Sequence, residues 1–157
     1  EKAGDFTLTS LDGESVHFAD VTKKGPVVLI MLRGWPGYQC PACQAQMGDF
    51  LKHAEEFHKA GARVLMVYPG PAKGLKDHAS EFVGSAKFPK NVTVLLDPDY
   101  KVTTLYGLRW VAPRETAYPS TFVVGPDNTI HYAKISRTHK GRAAADEVLA
   151  AVHKLQK

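Results

Sequence analysis

Cys40 and Cys43 are the only two cysteines in the 157-residue chain, and two residues separate them. A thiol acts as a nucleophile when it is ionised, and the free NH groups and positive dipole end at the start of a helix stabilise the thiolate. Two intervening residues also let the pair close into a small disulfide, so that one sulfur attacks a partner and the other releases it. The spacing therefore predicts a centre that cycles between dithiol and disulfide.

A helix that begins at this cysteine pair is predicted by the residues that follow it. Pro41 suits the first position of a helix, because that position needs no NH donor. Apolar residues then recur at helical spacing, and Gly61 is a typical residue after a helix end. The apolar positions are Cys43, Met47, Phe50, Leu51, Ala54 and Phe57. We expect one helix from Pro41 to Ala60, with both cysteines at its first turn.

Runs of apolar residues without polar alternation predict strands that are buried on both faces. They span residues 27–32, 62–68 and 92–96, and they alternate with predicted helices at 75–86 and 99–106. Two further strands, 121–124 and 129–135, flank a turn, and an amphipathic helix is expected after Gly141. The pattern predicts an α/β sandwich, in which helices cover both faces of a central mixed β-sheet.

The N-terminal residues predict a separate β-hairpin. Apolar and polar residues alternate over 6–8 and 16–18, on either side of the turn sequence Asp12-Gly13. We expect this hairpin to be appended to the sheet and to lie outside the core.

Length and charge limit the classes of function. One domain over residues 1–157 is expected at this length. The 20 basic and 16 acidic residues give a net charge of +4, and the basic residues are scattered, which disfavours a nucleic-acid partner. No apolar run is long enough to span a bilayer. Because the chain begins at Glu1 and has no other cysteine, we favour an exported, periplasmic type of location after removal of a targeting segment, with the cytoplasm as the alternative.

A metal site is the main alternative for a CxxC pair. Half of a zinc site needs two further Cys or His ligands, and the sequence has no second CxxC and no HxxxH. His53 and His58 lie too far along the predicted helix to share a metal with the cysteines. We therefore predict redox chemistry without a metal or other cofactor.

The segment around the cysteines resembles the alkyl hydroperoxide reductase and thiol-specific antioxidant group, which includes the peroxiredoxins and related thioredoxin-like proteins. Peroxiredoxins carry PxxxTxxC after the first core strand, and PGYQCPAC places Pro36 and Cys43 at the Pro and the peroxidatic Cys of that pattern. Cys40 stands where the family has Thr. The resemblance extends over nearly the whole chain and implies a thioredoxin-like, peroxiredoxin-type fold.

A second segment is similar to that of thioredoxins. Their CxxC is followed much later by a cis-proline that faces the sulfurs, and the segment Tyr118-Pro119-Ser120 resembles it. The resemblance implies a cis bond before Pro119, and substrate contacts from Pro119 and Ser120. Some peroxiredoxins have an Arg at the position of Pro119, where it binds peroxide and stabilises the thiolate.

These two resemblances imply different assignments for the cysteines. In thiol–disulfide exchange, which the sequence favours, Cys40 attacks a disulfide of a protein or small thiol and Cys43 resolves. In peroxide reduction, Cys43 becomes a sulfenic acid and Cys40 condenses with it. Either cycle needs an external thiol reductant or oxidant. A copper chaperone of the Sco type is a third hypothesis, but that family spaces its cysteines by three residues and has a His near position 119.

Several residues near the motifs are further candidates. Trp35 and Pro36 are expected to line the substrate surface, together with Tyr38 and Gln39. Three arginines are candidates to replace the missing family Arg, namely Arg33, Arg109 and Arg114.

Overall fold

A mixed β-sheet, with seven strands among the described residues, forms the centre of the protein. The computed structural model describes residues 2–35, 40–113, 115–138 and 141–155. The strands lie in the order β2-β1-β5-β4-β3-β6-β7. Their bounds are Thr7–Ser10 for β1, Ser15–His17 for β2, Val27–Met31 for β3, Arg63–Gly70 for β4, Val92–Pro98 for β5, Ser120–Val124 for β6 and Ile130–Ile135 for β7.

Strand β3 lies near the middle of this sheet and leads directly to the cysteine pair. It is parallel to β4, with Val27 opposite Arg63, and antiparallel to β6, with Met31 opposite Ser120. All five residues of β3 are buried, as expected for an apolar run with neighbours on both edges and both faces. The carboxyl end of β3 is therefore held rigidly on both sides.

Helices cover both faces of the sheet. Helices α2 (Pro41–Lys52), α3 (Ala54–Lys59), α4 (Leu75–Val83) and α6 (Ala145–Leu155) pack on one face. Helices α1 (Phe18–Thr22) and α5 (Lys101–Leu105) pack on the other. The two cores use alternate residues of β3, with Val28 and Ile30 on one side and Val27 and Leu29 on the other. The predicted α/β sandwich is confirmed.

The N-terminal hairpin is present, but its predicted place outside the core is wrong. Strand β1 pairs with β5 as well as with β2, so the hairpin extends the central sheet. Phe6 and Phe18 are buried and stack with ring centroids 4.7 Å apart. Burial of these two aromatic rings attaches the hairpin to the core.

The predicted helix from Pro41 to Ala60 is divided at His53. Residue His53 has φ −102° and ψ 9°, and it separates α2 from α3. Its ring atom Nδ1 lies 2.9 Å from the carbonyl oxygen of Asp49, and its own backbone NH donates to the same carbonyl. The helical hydrogen bonds on either side of His53 are kept, so the break consists of the local change in its backbone angles.

Asp97, at the end of β5, is the residue on which the start of α5 depends. It is fully buried, and its carboxylate accepts hydrogen bonds from the backbone NH groups of Val102 and Thr103 and from the Thr103 hydroxyl, each at 2.8 Å. Free NH groups at a helix start need such an acceptor when they are buried.

We expect Asp97→Ala to lower the free energy of unfolding by about 2–4 kcal/mol, because it leaves several buried donors without an acceptor. Urea denaturation followed by circular dichroism measures the change. Asp12→Ala in the exposed hairpin turn is the control and should alter stability by less than about 0.5 kcal/mol. Equal stability of the two variants would show that Asp97 does not hold α5.

Candidate active site

The cysteine pair forms the start of α2, as predicted. Cys40 is the N-cap residue, with extended backbone angles of φ −83° and ψ 110°, and Pro41 is the first helical residue. The backbone NH of Cys43 donates to the Cys40 sulfur at 3.2 Å. A sulfur here replaces the side-chain oxygen of a usual N-cap residue, so the free NH groups of the helix face the atom that would carry a thiolate charge.

Cys43 lies deeper in the protein than Cys40. Its side chain is fully buried on the inner face of α2, and its sulfur accepts a hydrogen bond from the backbone NH of Arg33 at 3.3 Å. Arg33 follows β3 closely, so the rigid end of this strand supports the inner sulfur. Both cysteines are free thiols in the structure.

Arg142 provides a cation at the outer sulfur. One terminal nitrogen of its guanidinium, Nη2, donates to the Cys40 sulfur at 3.3 Å. The residue lies just before α6 and follows Gly141, whose positive φ of 75° turns the chain at that point. Sequence reasoning missed Arg142, because 102 positions separate it from Cys40 and no local pattern links the two.

The two thiols have opposite acidities. The pKa of Cys40 is lowered from 9.0 to about 6, first by a hydrogen bond from the Cys43 thiol and then by the positive charge of Arg142. Burial raises the pKa of Cys43 well above its usual value, and the hydrogen bond to Cys40 raises it further. At neutral pH the pair therefore holds its charge on Cys40, while Cys43 remains a protonated donor.

The arginines proposed from the sequence have other contacts. Arg33 is buried and pairs with Glu115, with Nη2 and Oε1 3.3 Å apart, so its charge reaches Cys40 only as a minor influence on the pKa of that thiol. Arg109 donates to the backbone carbonyls of Trp110 and Thr116 and lies over the ring of Tyr100. Arg109 thus organises its own loop.

The side chain of Trp35 packs against residues of β4 and α4. Its ring stacks on that of His78, with centroids 4.2 Å apart, and lies 6.0 Å from the ring of Tyr68. The indole also fills the space over Gly70, where an added Cβ would lie 2.0 Å from a ring atom. Trp35 packs against the same core cluster that contains both cysteines.

Four of the candidate residues belong to segments that the structure does not describe. Pro36, Tyr38, Gln39 and Arg114 lie outside the described residues. Their predicted parts in the site stay predictions.

The predicted cis bond before Pro119 is wrong, because the described residues contain no cis peptide bond. Pro119 lies where the chain runs straight into β6, and its carbonyl accepts the NH of Ser136 at 2.8 Å. The trans form, which is favoured for most X-Pro bonds, suits this extended pairing. Ser120 is buried, and its hydroxyl donates to the Tyr118 carbonyl at 2.9 Å, so it is engaged within the strand edge.

Known proteins of similar sequence are redox enzymes. The chain is 28% identical over 149 residues to a putative peroxiredoxin of Mycobacterium tuberculosis, covering 92% of this chain and 88% of the relative. It is 26% identical to alkyl hydroperoxide reductase C of Pseudomonas aeruginosa, covering 87% and 71%. It is 24% identical to the thiol-disulfide oxidoreductase ResA of Halalkalibacterium halodurans, covering 90% and 68%.

Solved structures support the same fold. Peroxidoxin BcpB of Mycobacterium tuberculosis aligns with a TM-score of 0.78 and 21% identity, covering 100% of this chain and 97% of that one. The AhpC structure from Enterococcus faecalis aligns with a TM-score of 0.75 and 20% identity, covering 99% and 90%. These likenesses establish the thioredoxin-like, peroxiredoxin-type fold predicted above.

A cysteine pair at a helix start within this fold defines a thiol-dependent oxidoreductase of the antioxidant class. The chain belongs to the AhpC/TSA family, whose model matches residues 1–133. The resemblance seen in the sequence is thereby confirmed. Within the part of the chain that the structure describes, no helix is long and apolar enough to cross a membrane.

The acidity of Cys40 predicts a pH dependence that absorbance at 240 nm can measure, because a thiolate absorbs there and a thiol does not. Since its pKa is lowered to about 6, the thiolate is present at pH 8 and is lost as the pH falls through about 6. The reduced protein should show this transition, and Cys40→Ser should lack it. A transition that persists in Cys40→Ser would assign the acidic thiol to Cys43.

The contact between Gly70 and Trp35 gives a prediction about packing beside the site. Gly70→Ala should displace the indole, because the new Cβ would lie 2.0 Å from it. The measurement uses Trp110→Phe as the parent protein, in which Trp35 is the remaining tryptophan. Adding Gly70→Ala to this parent should shift the fluorescence emission of Trp35 to longer wavelength. Gly48→Ala is the control, since nothing lies within 4 Å of its added Cβ, and its spectrum should not change. An unshifted spectrum in Gly70→Ala would contradict the packing described for Trp35.

Proposed function

We propose that this enzyme is a thiol peroxidase in which Cys40 attacks the peroxide and Cys43 resolves. The observation that carries the proposal is the Arg142 guanidinium, 3.3 Å from the Cys40 sulfur. A guanidinium has five NH donors that point outward in one plane. Donors on one edge can stabilise the thiolate while donors on another edge bind a peroxide oxygen.

The assignment of the two sulfurs follows from their environments. The attacking sulfur must be ionised at neutral pH, and the lowered pKa of Cys40 meets this requirement. The resolving sulfur attacks only after the first step, and Cys43, with its raised pKa, is held protonated beside Cys40 until then. This assignment is opposite to the one implied by the PxxxTxxC pattern, which made Cys43 the peroxidatic residue.

The reaction then consists of two displacements. The Cys40 thiolate attacks one peroxide oxygen, the O–O bond breaks, and the leaving oxygen takes a proton to give water or an alcohol. This step oxidises Cys40 to a sulfenic acid. The Cys43 sulfur then attacks the Cys40 sulfur, and water forms from the sulfenic hydroxyl and the Cys43 proton. The product is a Cys40–Cys43 disulfide, which two electrons from an external thiol reductant return to the dithiol.

Burial of the attacking sulfur supports a small oxidant. Cys40 is only 2% exposed, and Arg142 lies beside it. A hydroperoxide presents a few atoms to the sulfur, whereas a protein disulfide must bring two cysteines and their backbone into line with it. The chemistry requires no cofactor beyond the two sulfurs.

Thiol–disulfide exchange is the second candidate function. The N-cap position of Cys40 and the low pKa of its thiol favour attack on a disulfide as well, and the ResA relative is named as an enzyme of that type. In this case Cys40 forms a mixed disulfide with the partner, and Cys43 releases it. The two functions share the attacking sulfur and differ in the substrate.

Single serine variants test the proposal and separate the two candidates. In Cys43→Ser, hydrogen peroxide should convert Cys40 to a sulfenic acid that dimedone traps, because the resolving thiol is absent. Cys40→Ser should lose peroxide consumption and should give no trapped product. Mass spectrometry locates the adduct.

Insulin reduction by the reduced wild-type protein provides the comparison between substrates. We expect peroxide to be consumed at least about 100-fold faster than insulin disulfides are reduced, as differences in transition-state binding of about 3 kcal/mol would give. Faster insulin reduction would favour the exchange function. A sulfenic acid at Cys43 in Cys40→Ser, with an inert Cys43→Ser, would reverse the roles proposed for the sulfurs.

A further inference from the structure

The guanidinium that contacts Cys40 is itself held by a buried side chain on the same helix as the cysteines. Nη1 of Arg142 donates to the side-chain oxygen of Gln46 at 3.3 Å, while Nη2 donates to the Cys40 sulfur at the same distance. Gln46 is 7% exposed and lies one helical turn after Cys43. The planar guanidinium is therefore bonded both to Cys40, at the start of α2, and to Gln46 within the helix.

The orientation of the Gln46 amide is set by its own partners. Its nitrogen donates to the Thr121 hydroxyl on β6 at 3.3 Å and to the Ala143 carbonyl at 3.2 Å. A carbonyl accepts but cannot donate, so the amide nitrogen must face Ala143 and the amide oxygen must face Arg142. The side chain thus presents its acceptor to the guanidinium.

The backbone that follows Arg142 is also hydrogen-bonded to α2. The carboxylate of Asp49 accepts the backbone NH of Ala145, the first residue of α6, at 2.8 Å. Gln46 and Asp49 are three positions apart and lie on one face of α2. They hold residues 143 and 145, and the backbone that carries Arg142 is fixed with them.

An arginine needs such support because its side chain has many rotamers. Ordering a long side chain costs up to about 2 kcal/mol of conformational entropy, and the effect of a charge on a thiolate falls with distance. Arg142 is only partly buried, so packing alone does not fix its position. A buried acceptor at Nη1 selects the rotamer in which Nη2 reaches the sulfur.

We propose that Gln46 is a positioning residue, which acts through Arg142 by holding the guanidinium against the Cys40 sulfur. Its catalytic consequence rests on the function proposed above, but the contact can be tested without peroxide. Gln46 touches neither the reacting sulfur nor the substrate in this scheme, and it controls how strongly the thiolate is stabilised.

The experiment is a double-mutant cycle on the pKa of Cys40, measured by absorbance at 240 nm in the reduced protein. Gln46→Met keeps the length of the side chain and removes its hydrogen bonds. We expect it to raise the pKa of Cys40 by about one unit, and Arg142→Met to raise it by about two, as loss of a nearby opposite charge does. If Gln46 acts through Arg142, adding Gln46→Met to Arg142→Met should cause no further rise.

Gln44→Met is the matched control. Gln44 lies on the same helix, two positions away, and is exposed. The same substitution there should leave the pKa of Cys40 unchanged and should not alter peroxide consumption. Circular dichroism of every variant verifies that the protein is folded.

Three outcomes would overturn the proposal. One is an unchanged pKa of Cys40 in folded Gln46→Met. Another is that Gln46→Met raises the pKa of Cys40 equally in the wild-type protein and in Arg142→Met. If Gln46→Met does not fold, Gln46→Leu takes its place, because it also removes the side-chain oxygen that accepts from Arg142. An unchanged pKa of Cys40 in folded Gln46→Leu is then the third outcome.

The cycle also separates this proposal from the proposed function. A wild-type protein that consumes no peroxide, in a cycle with the expected pKa values, would contradict the peroxidase and leave the role of Gln46 in place. A protein that consumes peroxide but shows no coupling between Gln46 and Arg142 would support the peroxidase and contradict the role of Gln46.

Discussion

The hydrogen bond from the Cys43 backbone NH to the Cys40 sulfur is the interaction on which the rest of the site depends. It makes Cys40 the cap of α2, so the sulfur lies where the helix has unpaired donors and a positive dipole end. The same geometry places Cys43 one turn inside the helix, against the buried end of β3. Two cysteines of the same chemical type therefore have different acidities because one lies at the helix boundary and the other lies within the core.

The central sheet makes this difference possible. Strand β3 has neighbours on both edges, and its residues supply both cores, so the backbone at Arg33 has little freedom to move away from the Cys43 sulfur. Strand β6 contributes Thr121, and the segment before α6 contributes Arg142, so elements far apart in the chain meet at α2. The active-site charge is thus stabilised from the helix and from the opposite end of the sequence.

Much of the fold was predictable, because it depends on local patterns of burial. The apolar runs gave the strands, and helical spacing after Pro41 gave the helix that carries the cysteines. The five-residue helix α1 had too short a pattern to be recognised, and the break at His53 is a local change of backbone angles within a continuous helical pattern of apolar residues. The geometry at Pro119 depends on pairing with Ser136, which no feature of its own segment reveals.

For the candidate site, the cysteine pair was evident from spacing, but the relative acidity of the two thiols was not. That difference depends on burial and on Arg142, which is brought to Cys40 by the packing of α6 against α2 and the sheet. Gln46 was likewise hidden, because a buried glutamine in an amphipathic helix differs from its exposed neighbours only through its partners. Tertiary contacts of this kind carry no signal in a single sequence.

The N-cap position of Cys40 also has a consequence for the energetics of turnover. Each contact that stabilises the Cys40 thiolate stabilises the reduced protein, and none of this stabilisation is retained once the sulfur is bonded to Cys43. The reduction potential of the pair is therefore raised, so that its disulfide is a stronger oxidant than one formed by two ordinary thiols. The arrangement that activates the sulfur thus also makes the oxidised enzyme easier for an external thiol to reduce.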